Sequence, residues 1–133
     1  MMNFSVSLEQ RQELAILELF GEFDMMAAPT FCEIVTAQVE QGIVRFVVDL
    51  KNLKYIDSRG IHALITMLGA VQQQRGDIRL VIGNDRIARV LALAGVDQVF
   101  TSYDDRRLAL ASARNSRHQV AVPRSWTRGV LSI

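Results

Sequence analysis

Apolar and polar residues alternate at Phe4, Val6 and Leu8, then at Leu14, Ile16 or Leu17, and Leu19, with polar Gln10 to Gln12 between them. A period of two interrupted by a polar break predicts a β-hairpin at the start of the chain. After Asp24 the spacing changes. Pro29 suits the first turn of a helix, and Phe31, Ile34, Val35 and Val39 then recur at three and four residues, which predicts a first helix ending near Gly42.

The run "VRFVVDL" is short, apolar and rich in branched side chains, the composition of a strand covered on both faces. In "LKYIDSRGIHALITML" a strand end passes, across Asp57, Ser58, Arg59 and Gly60, into a helix whose face carries Ile61, Leu64, Ile65 and Leu68 and which stops at Gly76. A second buried-type strand, "IRLVIG", follows. Asn84 or Asp85 can cap a third helix bearing Ile87, Val90, Leu91 and Ala94, closed by Gly95. "QVFTSY" predicts a last strand, and Asp104 and Asp105 favour a fourth helix through "RLALASAR".

Two strands, a helix, and then three strands each followed by a helix predict an α/β fold: a mixed, mostly parallel sheet that begins with a hairpin and is covered by about four helices. Residues 1–114 form this domain. Residues 115–133 lack periodicity, are broken by Pro123 and form a basic tail in which Trp126, Val130, Leu131 and Ile133 favour docking, with a homodimer as one expected outcome.

Composition narrows the function classes. The chain has 133 residues, half of them hydrophobic, and a net charge of +1, so its charge gives no reason to expect nucleic acid or membrane as the main partner. Cys32 is alone, which excludes an internal disulfide and a cysteine-based zinc cluster. The N-terminal segment lacks a signal-peptide pattern, and no apolar run approaches the roughly 20 residues of a membrane span, so a cytoplasmic location is expected.

Candidate chemistry centres on Asp57-Ser58-Arg59-Gly60. Asp57 or Ser58 can cap the second helix, and Gly60, a poor helix former, suggests clearance for another backbone. A serine at a helix N-terminus tolerates phosphate, because the roughly 1.5 to 2 negative charges meet the positive end of the dipole. Arg59 is placed to pair with it. Asp24 and Asp57 also raise paired-carboxylate or metal chemistry, against which the simpler reading is a turn residue and a helix cap; Asp49 reads as a structural turn residue. His62 and His118 accompany no nucleophile at a recognisable spacing, and no phosphate-cradling glycine loop occurs. Met25 and Met26 suit either a core or an adaptable binding surface.

Three segments in order, "LFGEFDMMAAPTF", "VVDLKNLKYIDSRGIHAL" and "LALAGVDQVF", resemble the STAS domain of the anti-sigma factor antagonist type, small bacterial proteins that switch partners by serine phosphorylation. The resemblance covers roughly Phe4 to Arg114. It implies the STAS fold, no cofactor and no catalytic residue, with Ser58 as phosphate acceptor and Gly21, Glu22, Asp24, Asp57, Arg59, Gly60 and His62 around it as the partner-binding surface. The implied partners are an anti-sigma factor with serine kinase activity and a serine phosphatase. Arg59 stands where the family usually has Ser or Thr, and His62 where a small residue is common. The alternatives are a scaffold of the same fold with Ser58 silent, or a small enzyme or phosphoaspartate receiver. The receiver is disfavoured by the opening hairpin and by the lack of any lysine beyond Lys54.

Overall fold

The computed structural model describes residues 4–114, so the expected tail, its docking and the dimer lie outside the described residues. The hairpin is formed by β1 (Phe4–Arg11) and β2 (Leu14–Phe23), antiparallel with Leu8 opposite Leu17. The chain continues through α1 (Ala28–Glu40), β3 (Arg45–Asp49), β4 (Leu53–Ile56), α2 (Ser58–Gln73), β5 (Asp77–Val81) and α3 (Asp85–Leu93). The described residues end in β6 (Ser102–Tyr103) and α4 (Arg106–Arg114). Apart from the hairpin every pairing is parallel, in the order β1-β2-β3-β5-β6. The expected mixed α/β sheet with four helices is observed.

Two strand assignments are corrected. "LKYI" is a strand of its own, because β2 outruns β3 and β4 pairs with the free end of β2 from Gly21 to Phe23. The register shifts between Gly21 and Glu22, and Gly21 takes φ of 90°, a conformation that costs glycine little. The last strand is shorter than "QVFTSY". Val96–Gln98 is a single 3-10 turn that sends Val96, Val99 and Phe100 into the core, leaving only Ser102 and Tyr103 to pair with β5.

Strand alternation divides the side chains between two faces. Ala15, Leu17, Leu19, Phe46, Val48, Ile78 and Leu80 join buried residues of α1, α2 and α3 in the main core. Within it Leu64 and Leu68 of α2 are fully buried, each a contribution of roughly 1.5–3 kcal/mol that fixes which way α2 faces.

The opposite face carries α4 over a much smaller apolar cluster of Ile16, Val47, Val81 and Ala109. Charges hold this helix down. The Arg106 Nη2 lies 2.8 Å from Glu18 Oε1 and 3.0 Å from Asp49 Oδ2, and Asp49 is fully buried. Asp49 also accepts from the Lys51 N–H at 3.0 Å, the turn role expected of it. Beside this group, Arg79 donates to Tyr103 Oη at 3.1 Å and Ser112 Oγ at 3.0 Å, and its Nε sits 2.8 Å from Asp77 Oδ2. Burial pushes the Asp77 carboxyl above its ordinary value, against the opposing pull of the Arg79 charge and hydrogen bond.

Candidate functional site

Parallel neighbours end side by side. Phe23 of β2 pairs with Ile56 of β4, so the residues that follow, Asp24 and Asp57, leave the sheet together. The Asp57 N–H donates to the Phe23 carbonyl at 3.4 Å. This seam gathers Gly21, Glu22 and Asp24 from one strand end with Asp57, Ser58, Arg59, Gly60 and His62 from the other and the start of α2.

Asp57 is the cap of α2. Its backbone is extended, and its Oδ1 accepts from the Arg59 N–H at 2.9 Å and the Gly60 N–H at 3.2 Å. Of the two caps the sequence allowed, Ser58 is therefore excluded. It is the first helical residue and is exposed. Its hydroxyl stands at the tip of a 16-residue helix, where the dipole is positive.

Asp24 does the corresponding work at the other strand end. Its Oδ1 accepts from the Met26 N–H at 3.0 Å and the Ala27 N–H at 3.1 Å, which turns the chain into α1. Both aspartates are thus engaged by backbone donors, as the turn and cap reading requires. Among the described residues no group of three His, Cys, Asp or Glu side chains is placed to hold a metal ion.

Gly60 provides clearance, and the backbone that approaches it is the chain's own. A Cβ there would stand 2.3 Å from the Phe23 carbonyl oxygen, 2.9 Å from Ile56 Cγ1 and 3.0 Å from Phe23 Cγ. Lacking one, Gly60 lets the first turn of α2 sit directly on the ends of β2 and β4.

Beside the serine the surface is adaptable. Met25 is 57% exposed and Met26 66% exposed, so both belong to the surface and neither to the core. Arg59 is exposed and His62 half-buried, and both line a groove of about 710 Å³ between α1 and α2. Cys32, Ala37, Thr66 and Met67 line it too, and none of these four was singled out by sequence as a site residue. The only trace they leave is the row of small residues Ala28, Cys32, Thr36 and Ala37 on one side of α1. Burial, reinforced by the Glu33 charge, pushes the Cys32 thiol up to about 11, so it is no nucleophile at neutral pH. None of the described helices is long and apolar enough to cross a membrane.

The model of the STAS domain matches residues 5–109. The anti-sigma F factor antagonist of Paenibacillus polymyxa is 26% identical over 114 residues, 82% of this chain and 94% of its own. Among solved structures, a putative anti-sigma factor antagonist from Thermotoga maritima superposes with a TM-score of 0.76 at 23% identity, covering 82% of this chain and 94% of that one. The structure of a Bacillus cell fate determinant in its phosphorylated form gives 0.66 at 19% identity, covering 83% and 100%.

Proposed function

The chain belongs to the STAS domain family, and on that footing we propose that it is an anti-sigma factor antagonist whose binding is controlled by phosphate on Ser58. The observation that carries the reading is the division of labour at the start of α2: Asp57 caps the helix, and the neighbouring Ser58 is exposed and not needed for the cap. Charge can therefore be added to Ser58 at little cost to the fold. Phosphate adds roughly 1.5 to 2 negative charges, which the dipole of α2 and the Arg59 guanidinium accommodate. A partner surface that is acidic or apolar at this point does not accommodate them, so the same charge that leaves the domain folded ends the complex.

In this reading the unphosphorylated protein binds an anti-sigma factor that is also the serine kinase, and a sigma factor is set free. A phosphatase resets the cycle, and the STAS protein regulates transcription without catalysing a reaction. Glu22, Asp24, Asp57, Arg59, Gly60 and His62 form the contact surface around the acceptor, shaped by the bulge at Gly21. The reading is tested by calorimetric titration of the source cell's anti-sigma factor with Ser58→Ala and Ser58→Asp. The alanine variant should bind at least as well as the parent and the aspartate variant at least tenfold more weakly, with melting midpoints close to the parent's. Equal affinities contradict the switch and leave a scaffold of the same fold.

A further inference from the structure

From the groove between α1 and α2 we infer that the partner's footprint extends from Ser58 along this groove, and that its occupant is an amphipathic helix of the anti-sigma factor with an acidic residue placed over Arg59. This rests on the proposed function and adds to it the secondary structure and charge pattern of the partner.

Both helices begin at the C-terminal ends of parallel neighbouring strands, so their first turns lie together beside Ser58 and the helices run the same way. The groove follows α1 from Ala28 to Glu40, twelve helical steps or about 18 Å, the length of about three turns of a second helix. Met25, Cys32, Ala37, Ala63 and Met67 give it apolar walls, and the small side chains of α1 keep it open. Exposed Met25 stands at the end next to the serine. A helix laid in such a groove presents apolar anchors three and four residues apart, and methionines adapt to their shape.

Charge separates the two ends. Arg59 lines the groove in the first turn of α2 and Glu40, the last residue of α1, lines it at the far end, with His62 and Glu33 facing it between them on α2 and α1. An occupant matched to this pattern carries an acid near Ser58 and a base near Glu40. Arg59 and His62 both line the groove within about one turn of Ser58, so an occupant of the groove meets them and the acceptor together. Thr66 lies on the floor, its hydroxyl buried and without a hydrogen-bond partner among the described residues, so the resting groove leaves a polar group unused.

Ala37→Arg blocks the groove from an exposed position on α1, and Arg59→Glu reverses the charge at its serine end. Ala92→Arg, at an exposed position of α3 outside the groove, is the control. With the purified anti-sigma factor as probe, both groove variants should lose at least tenfold in affinity and the control should match the parent, all three melting within a few degrees of it. On binding, the backbone amide signals of Thr36, Ala37, Thr66 and Met67 should shift together with that of Ser58. Tight binding by the parent and by Ala37→Arg alike, with shifts confined to residues 21–24 and 57–62, overturns the groove and leaves the Ser58 reading intact. Failure of the parent itself to bind overturns both.

Discussion

Replacing Gly60 by alanine sets two effects of known sign against each other. Alanine is the better helix former by roughly 0.8–1.0 kcal/mol in a helix interior, so propensity alone predicts a more stable protein. The seat of α2 predicts the reverse. The new methyl would lie 2.3 Å from the Phe23 carbonyl oxygen and 2.9 Å from Ile56 Cγ1, and the first of these is backbone that no rotamer change can move. Overpacking of this kind costs about 1–3 kcal/mol, and contact with backbone belongs at the upper end. The expected net loss is about 2 kcal/mol, a fall in melting midpoint of roughly 6–10 °C for a domain of this size. Relief comes from lifting the first turn of α2 off β2, which lengthens the Asp57 N–H to Phe23 carbonyl contact and displaces Ser58, so affinity for the anti-sigma factor should fall as well. Chemical denaturation with a parallel calorimetric titration measures both. A Gly60→Ala protein as stable as the parent, or more stable, refutes the claim that close approach explains this glycine.

Arg106→Ala removes the counter-charge of the fully buried Asp49 and of Glu18, and with Arg106 itself partly exposed it should cost about 2–3 kcal/mol by denaturant unfolding; a loss below about 0.5 kcal/mol would show that α4 is held by its apolar cluster. Asp57→Ala should cost about 1 kcal/mol through the lost cap, whereas Ser58→Ala should fall within about 0.5 kcal/mol of the parent; comparable losses would contradict the division of labour between the two residues. The Asp77 carboxyl titrates above its unfolded value, so its protonation favours the folded state: measured against Asp77→Asn, the stability of the parent should decline as pH rises through the Asp77 pKa, and a difference that grows with pH would reverse the assigned sign.

Elements with their own periodicity were legible in the chain. The hairpin alternation, the branched runs of β3 and β5 and the four-residue face of α2 each state their structure locally; the caps were legible to within one residue, Asp57 or Ser58 and Asn84 or Asp85, and the structure selects Asp57 and Asn84. In the sequence, β4 shows only as a strand end. Its identity depends on β2 reaching further than β3, a comparison between segments some 30 residues apart. The same separation concealed the Arg106 contacts with Glu18 and Asp49 and the Arg79 contacts with Tyr103 and Ser112, since each polar group taken alone suits a solvated surface. The Ser58 cluster was legible because one short motif and one turn contain it. The groove was not, because its walls come from two helices and small side chains such as Cys32 and Ala37 announce no ligand.

The proposed control of binding by phosphate on Ser58 is tested most directly by incubating the full chain with the proposed partner, the source cell's anti-sigma factor kinase, and ATP, locating the phosphate by mass spectrometry, and titrating the purified phosphoprotein against the same partner with the nucleotide held constant. A single phosphate on Ser58, an unchanged circular dichroism spectrum and an affinity at least tenfold weaker than that of the unmodified chain are the predicted results. Phosphate on another residue, or a phosphorylated Ser58 that binds as tightly as before, would contradict the account.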